Sequence, residues 1–184
     1  GITLATAVMY LRVLVIVSVF NLALAKELAP ALLTLGIAGL ITGIVLYRLA
    51  PPSPKSTEDR APVVQRNPLE LGTAAVFTGL FVIISLVSTW VGAEFGQSGI
   101  LALAAVVGIS DIDPFVLNLA QGGVADLSPS VAAAAILVAT ASNNLLKAGY
   151  AAAFAGWRAS LPAVTALAAL AALTLLAAFL IGRS

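Results

Sequence analysis

Four charged residues interrupt long apolar stretches of this sequence, and they are the first candidates for chemistry. Arg12, Asp111, Asp113 and Lys147 each lie in an otherwise apolar run. A charge at the centre of a membrane helix costs about 2.5 to 3.5 kcal/mol on insertion scales, so such residues usually pair with one another or mark an ion pathway. The four residues therefore predict either two neutralising pairs or an ion site.

The two aspartates lie at a predicted break in a helix, in the run Ser110-Asp111-Ile112-Asp113-Pro114. Because Pro114 has no amide hydrogen, it suits the first position of a new helix, and Asp113 is predicted to be the N-cap. A break near the middle of the membrane frees backbone carbonyls and amides. These groups, the two carboxylates and the Ser110 hydroxyl could bind an ion. The alternative is a solvent-exposed turn at the membrane interface.

Neutral polar residues add to this candidate site. Asn118 lies about one turn into the second half of the broken segment, and Asn143, Asn144 and Lys147 lie together in a later apolar run. Asn143 and Lys147 share a helix face, because they are four residues apart. We expect Asp111 and Asp113 to be ligands of a cation, a metal ion among them, or to be proton carriers. The expected neutral ligands are Ser110, Asn118, Asn143 and Asn144, and the expected counter-charges are Arg12 and Lys147.

Composition excludes several classes of function. Hydrophobic residues make up 61% of the 184 residues and charged residues 9%, against roughly a quarter charged in soluble proteins. The expected surroundings are therefore a lipid bilayer. The net charge of +1 leaves no basic tract for nucleic acid. Without Cys or His, a thiolate or imidazole metal site and a Ser-His-Asp triad are excluded, so we expect no enzyme and no cofactor beyond a bound cation.

The spacing of the charges predicts an all-α integral membrane fold with about six transmembrane helices, since a spanning helix needs about 20 apolar residues. The fourth segment, 96–123, is broken, and neither half is long enough to cross. It either crosses as a broken helix or re-enters. The other predicted spans are approximately 3–25, 28–47, 71–93, 128–155 and 159–182.

Domain organisation follows from one stretch rich in proline and charge. Residues 51–68 are predicted to form an aqueous loop between a helical hairpin, 1–50, and a four-helix unit, 69–184. Lys and Arg are in excess in and around this loop, which predicts that it is cytoplasmic. The same excess results whether 96–123 crosses or re-enters, so the charge distribution leaves both topologies open.

Four runs resemble the C-terminal membrane domain of unknown function found in MgtC/SapB-type bacterial membrane proteins. They are AVMYLRVLVIV, NPLELGTA, ILALAAVVGISDIDPFVLNLA and ILVATASNNLLKAGYAAAFAG. The resemblance implies a bacterial inner membrane protein, and a first copy of the unit with further helices before Gly1. We therefore interpret the chain as a piece of a longer protein, or as one subunit of a homo-oligomer.

An internal repeat is also indicated by the sequence itself. ATAVMYL precedes Arg12, and ATASNNLL precedes Lys147. Repeats with broken helices near the membrane midplane are typical of transporters. The leading hypothesis is thus a transporter or channel-like protein that binds a small cation, proton or solute at the break. The alternative is a non-transporting regulatory or assembly subunit whose buried charges are structural.

Overall fold

The computed structural model describes residues 2–49, 71–155 and 157–183, apart from the side chains of 155 and 157–159. The predicted loop 51–68 lies outside these residues. The described chain forms helices and turns, without a strand. The helices are α1 (Ile2–Phe20), α2 (Leu22–Leu49), α3 (Leu71–Val107), α4 (Asp113–Ala120), α5 (Pro129–Ala155) and α6 (Trp157–Ile181).

Five of these helices are long and apolar enough to cross a membrane, within the described ranges. The exception is α4, which has 8 residues. The all-α membrane fold is therefore confirmed as a multi-pass helical membrane protein, whereas the broken transmembrane helix and the internal repeat stay predictions.

The hairpin of α1 and α2 turns earlier than the sequence predicts. We expected the first helix to continue to about Ala25, but α1 ends at Phe20 and α2 begins at Leu22. The reason is Asn21, whose side-chain oxygen accepts a hydrogen bond from the Leu24 amide at 3.0 Å and so caps α2. Lys26 is an exposed residue of the first turns of α2 and does not end a helix.

The long helix α3 is bent at Gly96. This residue has φ 60° and ψ −148°, a conformation that is essentially restricted to glycine. The bend divides α3 into a first part, 71–95, and a second part, 97–107. The second part begins the segment that the sequence predicts to be broken.

The segment from Gln97 to Leu127 starts and finishes at the same end of the bundle. Thr89, just before the bend, donates a hydrogen bond from its hydroxyl to the carbonyl of Gly123 at 3.1 Å. A cavity of about 330 Å³ at this end is lined by residues of 89–100 and of 124–127. The second part of α3 therefore leads away from this end, and α4 leads back towards it.

The turn at 108–112 lies against the middle of α5. Ser142 donates a hydrogen bond to the carbonyl of Ala105 at 2.7 Å. A side chain at Gly108 would overlap Ser142 and the carbonyl of Ala139. Glycine is therefore required here for the close approach of the turn to α5.

Helix α5 is the centre of the bundle, and α1 lies antiparallel to it. In the most apolar stretch of α5, 67% of the residues are buried inside the bundle, whereas in that of α3 the share is 11%. Asn21 and Leu24 share a cavity with Pro129, whereas Tyr10 contacts Asn144. Residue numbers therefore rise along α1 in the direction in which they fall along α5, so the two helices are antiparallel. The second hairpin, α5 and α6, packs against α1 and α2.

Candidate functional site

A cavity of about 240 Å³ brings together four of the residues that the sequence singles out. They are Arg12 from α1, Asp111 from the turn, and Asn143 and Lys147 from α5. Three separate elements therefore supply its polar wall. The remaining lining residues are Ala5, Val8, Met9 and Ile112.

One of the expected neutralising pairs is present. The Arg12 guanidinium forms a salt bridge with the Oδ2 atom of Asp113, and the two side chains are 54% and 17% exposed. The other carboxylate oxygen of Asp113, Oδ1, is buried without a hydrogen-bond partner. Asp113 is thus held behind the cavity wall by Arg12, with one oxygen unsatisfied.

Asp111 takes the capping role that the sequence assigns to Asp113. Helix α4 begins at Asp113 itself, with Ile112 at the N-cap position and no side-chain cap from that residue. The Asp113 amide donates to Oδ1 of Asp111 at 3.1 Å. The predicted N-cap is therefore wrong by one residue, because the Asp113 carboxylate is engaged by Arg12. The second carboxylate oxygen of Asp111, Oδ2, remains as an acceptor for a ligand.

Among the described residues, Lys147 has no carboxylate partner. Its ammonium contacts the thioether sulfur of Met9 at 3.0 Å, and thioether sulfur is a weak acceptor. Within the described part of the chain, the salt bridge of Arg12 with Asp113 is the one that forms. The expected neutralisation of two cations by two carboxylates is thus only half realised.

Asn143 fixes the turn to α5. Its amide nitrogen donates to the Gly108 carbonyl at 3.2 Å, one of the backbone groups that the end of α3 leaves free. The sequence predicts that freed carbonyls contribute to an ion site, but this carbonyl accepts from an asparagine and needs no ion to satisfy it.

Asn144 lies outside the cavity, in a buried hydrogen-bond chain. Its amide nitrogen donates to the Tyr10 hydroxyl at 2.8 Å, and that hydroxyl lies 2.8 Å from the Thr174 hydroxyl. The chain joins α5, α1 and α6. Sequence reasoning missed Tyr10 and Thr174, although a tyrosine within an apolar helix signals a buried hydroxyl that needs a partner.

Ser110 and Asn118 do not line the cavity either, and their roles as neutral ligands stay predictions. The Ser110 hydroxyl donates back to the Val107 carbonyl at 3.0 Å. Asn118 is buried beside Gly123, and its amide nitrogen has no partner. Because α4 leads away from the turn, its later residues lie towards the end of the bundle where Thr89 contacts Gly123.

The donor set for a metal ion is small. The described residues contain no group of three or more Asp, Glu, His or Cys placed to hold one. Of the two expected ligands, Asp113 is bound by Arg12 and Asp111 accepts a backbone hydrogen bond. The metal roles of Asp111 and Asp113 stay predictions.

The fold and the cavity define a multi-pass helical membrane protein with a charged cavity lined by α1, α5 and the turn at 108–112. More particularly, the chain belongs to the family described as a domain of unknown function, DUF4010, whose profile matches residues 1–155. The expected domain of unknown function is thereby confirmed, whereas its association with MgtC/SapB-type proteins stays a prediction.

A curated relative from Aquifex aeolicus (strain VF5), described as an uncharacterized protein, is 38% identical over 98 residues. The match covers 53% of this chain and 43% of the relative, so it spans less than half of the relative's length. No solved structure matches the chain.

Proposed function

We propose that this protein is a membrane transporter or channel-like protein that binds a small ion or solute in the charged cavity. The observation that carries the proposal is the convergence of Arg12, Asp111, Asn143 and Lys147 from three elements on one cavity. Ionisable groups inside a membrane bundle are costly, and they are typically retained where they serve a substrate or ion.

The geometry of the hairpin supports a site near the middle of the membrane. The second part of α3 is about 16 Å long at 1.5 Å per residue, which is about half of a 30 Å hydrocarbon core. The turn that follows it packs at Gly108 against Ser142, which lies near the middle of α5. We therefore infer a re-entrant hairpin, 97–127, whose tip carries Asp111 to mid-depth, as in transporters with discontinuous helices.

A re-entrant hairpin leaves five spans and fixes the relative sides of the charges. Lys26 and Arg183 then lie on one side, and the larger group of cations lies on the side of the loop 51–68. By the positive-inside rule this loop is cytoplasmic, and the inferred location is a bacterial inner membrane. The larger group comprises Arg48, Lys55, Arg60, Arg66 and Arg158.

The arrangement also supports an inverted repeat. Tyr10 of ATAVMYL and Asn144 of ATASNNLL are in corresponding positions, and their side chains are hydrogen-bonded to each other. Because α1 and α5 are antiparallel, a repeat that includes them is inverted. Inverted repeats with a site at their interface are common in secondary transporters.

A non-transporting assembly or regulatory subunit is the second candidate function. The salt bridge between Arg12 and Asp113 favours it, since this pair is what a structural staple would provide. Under this hypothesis the cavity is a packing gap and binds nothing.

Flux measurements separate the two candidates. Proteoliposomes with the purified full chain would be tested with labelled sodium, magnesium and acetate and with a proton-sensitive dye. The transporter hypothesis expects saturable flux of at least one of these, reduced at least tenfold in Asp111→Asn and Lys147→Gln. The matched variants Asp126→Asn and Lys26→Gln, at exposed positions outside the charged cavity, should retain it. No flux of any probe would favour the subunit.

A further inference from the structure

We infer that the ligand of the charged cavity is a small organic monocarboxylate anion. This inference rests on the proposed function and names its substrate class. It follows from the balance of charge, the free hydrogen-bonding groups and the size and lining of the cavity.

The cavity wall carries more positive than negative charge. Arg12 and Lys147 line it, against the single carboxylate of Asp111. Asp113 offsets Arg12 from behind the wall. With Arg12 paired in this way, Lys147 is the cation that has no carboxylate partner among the described residues, and an anionic group beside its ammonium is favoured.

Lys147 is the group that most needs a ligand. Its ammonium has three donors, and its hydrogen-bond contact is with the Met9 sulfur. A half-buried ammonium without an anionic acceptor is costly in an apolar bundle. A carboxylate between Lys147 and Arg12 would accept from both, and the planar fork of Arg12 suits the two oxygens of that group.

The apolar part of the lining indicates what the rest of the ligand is. The cavity of about 240 Å³ is partly open to the surface, and it is smaller than the roughly 300 to 1,000 Å³ of pockets for drug-sized molecules. The side chains of Val8, Met9 and Ile112 form an apolar part of the wall. A short alkyl chain behind one carboxylate fits this lining better than a hydrated inorganic ion does.

A cation has fewer ligands to use. One oxygen of Asp111 accepts the Asp113 amide, and Asn143 donates its amide nitrogen to the Gly108 carbonyl. This leaves a cation the second oxygen of Asp111 and the side-chain oxygen of Asn143, and the described residues offer no group of three ligands such as a metal ion needs. The Lys147 ammonium, unpaired among the described residues, would repel the ion.

Thermal unfolding of the purified full chain in detergent tests the inference. Sodium propionate and sodium lactate would be titrated against sodium chloride at matched ionic strength, with potassium and magnesium chloride as cation probes. We expect a saturable rise in Tm with propionate or lactate, abolished in Lys147→Gln and retained in Lys147→Arg and in the control Lys26→Gln.

Three outcomes would overturn the inference. One is the absence of a carboxylate effect in the wild type, and another is an equal effect in Lys147→Gln, which would indicate a solvent effect. The third is a saturable rise with potassium or magnesium but not with the carboxylates, which would leave the proposed function standing with another substrate. If Lys147→Gln does not fold, the wild-type titrations and Lys147→Arg remain decisive.

Discussion

At the scale of single residues, the two cations of the cavity have different roles. Arg12 is joined to Asp113, whereas the Lys147 ammonium donates, within the described part of the chain, to the Met9 sulfur and lines the cavity. Arg12 therefore contributes to structure and to the site, while Lys147 is available for a ligand. A structural role of Arg12 is therefore compatible with a binding role of Lys147.

The salt bridge predicts energetic coupling between Arg12 and Asp113. Single variants Arg12→Gln and Asp113→Asn should each lower the free energy of unfolding, because each leaves the other charge unpaired. The double variant should be more stable than the sum of the two losses implies, by about 0.5 to 3 kcal/mol. Unfolding in detergent measures this coupling. Additive losses, such as those expected for Lys26→Gln with Asp113→Asn, would contradict the pairing.

The residue types predicted which side chains line the cavity. The distance of a residue from the helix break along the sequence did not predict it. Arg12, Asp111, Asn143 and Lys147 stand out because they are polar in apolar runs, and they converge. Asn118 was equally conspicuous, but α4 carries it towards Gly123. The direction of a short helix depends on packing against distant elements, which one sequence does not specify.

At the scale of elements, the bend at Gly96 determines where the hairpin begins. Its φ of 60° and ψ of −148° direct the second part of α3 back into the bundle. The break near Pro114 was predictable from local chemistry, because proline and aspartate favour helix starts. The bend was not, since isolated glycines are tolerated within helices and Gly79 and Gly92 lie in the same helix without a break.

Replacement of Gly96 tests this conformation. Gly96→Ala should lower the free energy of unfolding by about 1 to 3 kcal/mol, since a side chain is strained in this backbone region. The control Gly79→Ala has no atom within 4 Å of the added carbon and lies in regular helix. It should be neutral or stabilising by up to about 1 kcal/mol. Equal effects of the two substitutions in thermal unfolding would exclude the bend.

At the scale of the whole molecule, the account predicts that both ends of the hairpin face one side of the membrane. The chain contains no cysteine, so single cysteines can be labelled without background. Gln97→Cys and Asp126→Cys should react with an impermeant thiol reagent from the same side as Lys26→Cys. Ser56→Cys, in the predicted cytoplasmic loop, should react from the other side.

Labelling of positions 97 and 126 from opposite sides would show that the segment crosses the membrane. That result would change the number of spans and the sides of Arg158 and Arg183. It would also make a repeat of the two hairpins parallel rather than inverted.

Sequence reasoning recovered the class of the fold but left its topology open. The apolar lengths between charges predict helices, because the bilayer fixes the length of a span. They do not distinguish crossing from return, and the balance of Lys and Arg is the same in both cases. The proposed return rests on contacts such as that of Thr89 with Gly123, which join residues far apart in sequence.

The proposed function requires Asp111 to lie at mid-depth beside a polar, water-accessible cavity. Asp111→Cys and Val106→Cys provide the most direct test, because Val106 is 64% exposed on the α3 face that lines a different, mainly apolar groove. In membrane vesicles, we expect a small water-soluble thiol reagent to modify Asp111→Cys from the side of the loop 51–68 at least tenfold faster than Val106→Cys. Equal rates at the two positions, or no modification of Asp111→Cys, would contradict the account.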